Sequence, residues 1–232
     1  MDLNKRIART AGLLYLIVIV TGIFSLGYVP SQITVQGDAL ATVNNIMAAK
    51  SLFRLGIAGE LIMYTVFLIL PFTLYKLLQG VDRNAALFMV VFAVVQVPIG
   101  FVNTLHHLDA LTLLSGAPLL RTFTPDQLNV QVLLSLNAYR NGLLVSNIFW
   151  GLWLLPFGYL VFKSGALPRI LGVLLMVGCF GYLTDFFGRL FFPGYAETII
   201  SSLITVPGSV GEFGICLWLV IIGANVPAHN VD

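Results

Sequence analysis

Charged residues are scarce in this sequence. They make up 9% of its 232 residues, whereas soluble domains average about 25%. The mean hydropathy is +0.95. Because a soluble fold of this size needs far more polar surface, we expect a lipid bilayer to surround most of the chain. The net charge is only +2 and no basic run occurs, which excludes nucleic acid as a partner.

Cysteines and catalytic motifs are also scarce. The two cysteines, Cys179 and Cys216, fall inside apolar segments, where a thiol usually packs as a small hydrophobe. The sequence contains no His-Glu-x-x-His, Walker loop, Gly-x-Gly-x-x-Gly or Gly-x-Ser-x-Gly elbow. No particular cofactor and no particular catalytic residue is therefore indicated.

Long apolar segments dominate what is present. A segment of roughly 20 residues crosses about 30 Å of hydrocarbon, and six segments are long enough: about 8–29, 52–78, 84–108, 131–162, 168–191 and 198–225. The fourth helix has a possible earlier start, since Thr124 and Pro125 are typical of an N-cap and a first-turn proline. Short joints favour antiparallel neighbours. The sequence predicts an all-α fold, a polytopic membrane bundle of six transmembrane helices forming one domain over residues 1–232.

Basic loop residues are distributed unequally between the two predicted faces of the bundle. One face collects Lys5, Arg6, Arg9, Lys76, Arg83, Lys163 and Arg169, and the other collects Lys50 and Arg121. The positive-inside rule therefore predicts that both termini are cytoplasmic. In a bacterium the protein would lie in the cell inner membrane.

Ionisable and amide side chains inside the predicted spans concentrate in the outer half of the membrane. A lone charge at mid-depth costs roughly 2.5–3.5 kcal/mol on insertion scales, so such residues usually pair or line a functional cavity. The candidate ligand-binding residues are Arg54, Glu60, Asn103, His106, His107, Arg140, Asn141, Asp185, Arg189 and Glu212. The alternative is a structural network in which the three arginines balance Glu60, Asp185 and Glu212.

Helical spacing groups some of these residues. Asn103 and His107 are four residues apart and share one helix face, as do Asp185 and Arg189, which could pair directly. In the sixth helix, Pro207 precedes Glu212 by about one turn and predicts a kink.

The histidines are poorly placed for a metal site. His106 and His107 are adjacent, so their side chains project about 100° apart on a helix and rarely bind one ion. His107 and Asp109 are also poorly placed, and the third histidine, His229, lies in the tail. We therefore expect no metal at this position.

Several segments resemble a bacterial integral membrane family known as domain of unknown function 4386. They are Ala11–Phe24, Leu52–Gly56, Lys163–Gly172, Gly181–Asp185 and Gly211–Leu219. The resemblance covers nearly the whole chain and implies six helices in a bacterial inner membrane, but no activity. It also implies that certain positions match the family pattern, namely Arg54, an acid at Glu60, Asn103, Asp185 and Glu212.

The chain departs from that pattern at Tyr139 and Arg140, where similar sequences often read histidine and then glutamate. This departure reverses a charge at the expected cavity, and His106 and His107 could compensate for it.

Three hypotheses about function remain open. The first is a membrane protein with an outer polar cavity that binds or carries a small ligand or ion. The second is an intramembrane enzyme resembling a lipid hydrolase, with His106 or His107 as base and Glu60 or Asp185 as orienting acid. The third is a structural or partner-binding membrane subunit.

Overall fold

The computed structural model describes residues 3–35 and 37–224, and these residues form helices without any strand. Six helical stretches are long and apolar enough to cross a membrane: Leu3–Ile33, Lys50–Leu78, Arg83–Leu113, Pro125–Ser164, Arg169–Phe191 and Ile199–Ile221. The prediction of an all-α, six-span membrane protein is confirmed. The predicted end of the sixth span at Asn225 and the tail histidine His229 lie outside the described residues.

The helices are numbered in chain order. They are α1 (Leu3–Gly22), α2 (Val29–Ile33), α3 (Ala39–Ala48), α4 (Lys50–Leu78), α5 (Arg83–Leu113), α6 (Pro125–Leu152), α7 (Leu154–Ser164), α8 (Arg169–Phe191), α9 (Ile199–Leu203) and α10 (Val206–Ile221). A π-helix, Ile23–Tyr28, joins α1 to α2, and 3₁₀ turns lie at Pro118–Thr122 and Tyr195–Glu197.

Large apolar side chains remain exposed along the spans. Ile69, Phe88, Val102 and Phe180 are each at least half exposed. A soluble protein rarely leaves extended apolar surface uncovered. Lipid is the medium that accepts such a surface without cost, so the exposed side chains mark the faces that contact the bilayer.

The fourth span begins earlier than residue 131. The Thr124 hydroxyl accepts a hydrogen bond from the Gln127 backbone N–H at 3.3 Å, and the Gln127 side-chain oxygen accepts one from the Thr124 N–H at 2.9 Å. This reciprocal capping box fixes the helix start at Pro125. The span is interrupted at Trp153, three residues before Pro156, whose missing N–H cannot continue the backbone ladder.

The chain divides into two compact units. The first unit comprises Met1–Ile17, Val66–Val97 and Leu144–Asp232, and the second comprises Val18–Thr65 and Pro98–Leu143. The single-domain organisation stays a prediction.

Close backbone contacts hold the first unit together. A Cβ added to Gly181 of α8 would collide with the carbonyl oxygen of Ile204, and one added to Gly178 would collide with the Gly208 Cα. Small residues permit such approaches between membrane helices. The sixth span is a broken helix rather than a kinked one, because α9 ends at Leu203 and α10 restarts with Pro207 in its first turn.

The second unit has its own apolar core. Val29, Ile33, Ile46, Phe53 and Ile57 are among its buried members. The α3 helix begins where the carboxylate of its N-cap residue, Asp38, accepts a hydrogen bond from the Ala41 N–H at 2.9 Å. Val29, Ile33, Phe53 and Ile57 of this core also line a cavity in the same unit.

Candidate functional site

A cavity of about 500 Å³ lies within the second unit, inside the range of 300–1,000 Å³ typical of small-molecule sites. Most of its wall is apolar and comes from the π-helix, α2, α4 and α6. The polar side chains in its lining are Ser25, Thr34, Asp38, Thr42, Glu60, His107, Asn137, Tyr139 and Arg140. This combination of an apolar wall with a few polar groups is the usual composition of a ligand pocket.

Glu60 is the buried acid of this cavity, with a relative exposure of 1%. The Tyr139 hydroxyl donates a hydrogen bond to Glu60 Oε1 at 2.6 Å. The Thr104 hydroxyl lies 3.0 Å from Glu60 Oε2 and 3.0 Å from the Gly100 carbonyl oxygen. A hydroxyl has one hydrogen, so Thr104 can donate to only one of these two oxygens at a time.

His107 lies beside Glu60. Its ring stacks on the Tyr139 ring with centroids 3.6 Å apart, and the Phe53 ring meets it edge-on at 5.0 Å. Its Nδ1 atom is 3.3 Å from Glu60 Oε1, and Nδ1 makes no hydrogen bond within the protein. We therefore describe the pair as a close contact rather than a hydrogen bond.

Ser25 is the second unpartnered polar group in the lining. It belongs to the π-helix Ile23–Tyr28, is 2% exposed, and its Oγ makes no hydrogen bond. Its hydroxyl lies against the backbone of Gly59, where an added Cβ would collide with it. Single-turn π segments inside α-helices occur frequently at functional sites. Ser25 is a site residue that the sequence pattern did not single out, and its only signal there is a small polar side chain within an apolar run.

Asn103 supports the cluster from α5 without lining the cavity. Its side-chain N–H donates to the Tyr139 carbonyl oxygen at 3.0 Å, and it is 4% exposed. The predicted stripe of Asn103 and His107 is therefore confirmed as one that faces other helices. Asn103 fixes the backbone of Tyr139, and Tyr139 in turn holds Glu60.

The remaining candidates of the second unit lie further out. Arg140 is exposed, lines the cavity and donates a hydrogen bond to Asn137. Arg54 and Asn141 are exposed and are not part of the cavity lining. His106 is partly exposed, with Nδ1 3.9 Å from Asp109 Oδ2. A tyrosine hydroxyl, rather than one of the arginines, therefore donates to Glu60.

Asp185 and Arg189 lie in the first unit and form the predicted pair. Arg189 Nε donates to Asp185 Oδ2 at 2.8 Å. The Ser201 hydroxyl donates to Asp185 Oδ1 at 2.8 Å and accepts from Arg189 at 2.6 Å. Asn147 also donates to Asp185 at 3.3 Å. This closed network links α6, α8 and α9. For Asp185 and Arg189 it corresponds to the structural network that was the alternative to a ligand site.

Glu212 of α10 is also in the first unit. The Tyr15 hydroxyl donates to Glu212 Oε1 at 2.6 Å, and Tyr15 is 1% exposed. Tyr15 and Tyr139 were missed as partners from the sequence, because tyrosine inside an apolar span resembles any other large apolar residue. In each unit a glutamate is thus held by a tyrosine from another helix.

Metal-ligating side chains do not assemble within residues 3–35 and 37–224. No group of three or more His, Cys, Asp or Glu side chains there is close enough together to hold an ion. His107 and Glu60 form a pair without a third such residue.

Comparisons with known proteins place the chain in a family. An uncharacterized protein of Archaeoglobus fulgidus is 31% identical over 153 residues, covering 66% of this chain and 74% of that protein. No solved structure matches. Residues 10–223 match the family described as Domain of unknown function (DUF4386). This match spans nearly all of the six-helix region, so the chain belongs to the DUF4386 family of multi-pass membrane proteins.

Proposed function

We propose that this membrane protein binds a small ligand in the cavity of its second unit and acts as a carrier or sensor. The observation that supports it best is the incomplete hydrogen bonding at the cavity wall. Ser25 Oγ and His107 Nδ1 are buried there without protein partners. Buried polar atoms are ordinarily satisfied, and a bound ligand would supply the missing bonds.

The hydrolase alternative requires a more precise contact. A general base needs an orienting acid that accepts its ring N–H. His107 and Glu60 are the residues closest to this arrangement, but Nδ1 is not hydrogen-bonded to the acid. Ligand binding therefore agrees better with the geometry.

The structural alternative suits the first unit better than the second. Three side chains, including the charged Arg189, already donate to the carboxylate of Asp185, so this network has little capacity left for a ligand. The cavity of the second unit, in contrast, has space and open acceptors. We assign clamping to Asp185 and Arg189, and binding to Glu60, His107 and Ser25.

We also propose that both termini are cytoplasmic and that the protein resides in a bacterial cell inner membrane, on the strength of the basic residues at one face. The cavity is lined by Thr34 and Val35 of the first loop. In this orientation the first loop is outside, so the ligand would enter from the outer side.

Fusions of a fluorescent protein or alkaline phosphatase to the carboxyl terminus test the proposed orientation. Fluorescence without phosphatase activity supports a cytoplasmic carboxyl terminus, and the reverse contradicts it.

Thermal unfolding of the full chain in detergent tests ligand binding. A ligand at 100 times its Kd stabilises the folded state by about 2.7 kcal/mol. We expect at least one compound from a panel of small acids, alcohols and amines to raise the Tm of the parent by several degrees. Glu60→Gln should lose this response, whereas Glu197→Gln, the same change at an exposed acid, should keep it. Equal responses in both variants, or none in the parent, would contradict the proposal.

A further inference from the structure

We infer that the ligand carries a primary ammonium group, bound by Glu60 and Ser25, on an apolar body. This inference rests on the proposed function and specifies its ligand class. It starts from the unused acceptors at the buried wall of the cavity.

Glu60 has spare accepting capacity. An ionised carboxylate offers about four acceptor positions, and the protein occupies at most two of them, through Tyr139 and Thr104. Ser25 Oγ is a further acceptor with no partner. A primary ammonium has three N–H donors. About two open positions on Glu60 and one on Ser25 therefore match the three hydrogens that this group must place.

The charges of the lining favour a cation at the buried end. Asp38 already caps α3, and Arg140 is exposed and bonded to Asn137. The remaining acid, Glu60, is 1% exposed and is contacted by two hydroxyls, with His107 Nδ1 3.3 Å from its Oε1. A buried carboxylate without a cation bears an uncompensated desolvation cost. An ammonium offsets this cost, whereas an anionic ligand would be repelled.

The aromatic residues indicate a primary rather than a quaternary amine. A quaternary ammonium is usually held over the open faces of aromatic rings. Here the His107 ring covers one face of Tyr139, with centroids 3.6 Å apart, and Phe53 meets His107 at 63° in an edge contact. These rings pack on one another and do not form an open cage. The ammonium is therefore recognised by hydrogen bonds.

The apolar wall defines the rest of the ligand. Val29, Ile33, Ile57, Leu133 and Leu136 line the cavity. Alkyl groups placed against them gain about 25 cal/mol for each Å² removed from water. An amine with a short alkyl or ring-shaped body fits this distribution of polar and apolar groups.

Matched hexyl compounds test the inference on the full chain in detergent at neutral pH. Hexylamine should raise the Tm by several degrees, while hexanol, hexanoate and hexyltrimethylammonium should raise it much less. In Glu60→Gln the apparent Kd for hexylamine should increase at least about tenfold. Ser25→Ala should weaken hexylamine binding by a smaller factor and leave hexanol unchanged. Glu197→Gln should bind hexylamine as the parent does.

The outcomes separate this inference from the function on which it rests. If hexanol or hexanoate stabilises the protein in a Glu60-dependent way and hexylamine does not, the amine is wrong but a ligand site remains. If hexylamine stabilises the parent and Ser25→Ala equally, the proposed binding of the ammonium group by Ser25 is wrong. If Glu60→Gln does not fold, the Ser25→Ala comparison still decides. If no compound stabilises the parent, the ammonium inference is overturned together with hexyl-chain binding.

Discussion

Gly142 lies directly against the side-chain amide of Asn103. A Cβ added at Gly142 would collide with Asn103 Oδ1 and would lie 3.0 Å from Nδ2. The same amide holds the Tyr139 carbonyl oxygen, and the Tyr139 hydroxyl holds Glu60. The close contact between Gly142 of α6 and the Asn103 side chain of α5 therefore helps to position Glu60, through Tyr139.

Gly142→Ala should lower the free energy of unfolding by about 1–3 kcal/mol, because overpacking forces Asn103 away from Tyr139. Gly27→Ala is the matched control, since nothing lies within 4 Å of a Cβ there. Because the added methyl group would displace no atom, Gly27→Ala should retain stability. Denaturant unfolding in detergent measures both, and equal effects would contradict the proposed positioning.

Two hydroxyl deletions in the cavity should have opposite consequences for stability. Ser25→Ala removes a buried group without a partner, so the free energy of unfolding should stay equal or rise. Tyr139→Phe leaves Glu60 with one donor fewer and should lower it by about 1–3 kcal/mol.

Thermal and denaturant unfolding of these two variants provide the measurement. A clear loss of stability in Ser25→Ala would show that its hydroxyl has a structural partner. That result would remove one of the two observations on which ligand binding depends.

Asp185→Asn should destabilise the first unit by about 2 kcal/mol or more. The amide would present a donor to groups that now donate to the carboxylate, namely Arg189, Ser201 and Asn147. Glu197→Gln repeats the change from acid to amide at an exposed position and should have little effect. We expect the Tm to fall in the first variant alone. A stable Asp185→Asn protein would contradict the clamping role.

Asp82 should make stability depend on pH at the start of α5. Its Oδ1 accepts a hydrogen bond from the Ala85 N–H at 3.0 Å, and chiefly this bond lowers the pKa of Asp82 below its ordinary value of 3.8, with Tyr159 and Lys163 adding to the effect. Because the folded-state pKa is the lower one, the carboxylate stabilises the protein above about 3.8, and this contribution is lost as the pH falls through the folded-state pKa.

Asp82→Asn isolates the charge, because asparagine is also a good N-cap. At neutral pH the variant should be less stable than the parent, and the difference should shrink as the solution is acidified below the ordinary aspartate pKa. Unfolding curves across that range measure it. A constant difference at every pH would show that the charge of Asp82 has no part in stability.

The amino-acid sequence by itself determined the six spans and the features local to one helix. Hydropathy over about 20 residues identifies a span, and a separation of four residues places Asp185 and Arg189 on one face. The start of α6 at Pro125 likewise follows from its neighbours Thr124 and Gln127. Each of these features depends on residues close together in the chain.

Tertiary structure alone decided which polar residues meet. Glu60 is bonded by Tyr139, which is 79 positions away, and Glu212 by Tyr15, which is 197 positions away. These contacts depend on how each helix is rotated and how closely it packs, which glycines such as Gly142 permit. Hydropathy is insensitive to rotation, so the sequence indicated a polar cluster around His107 but not its tyrosine, its serine or its open acceptors.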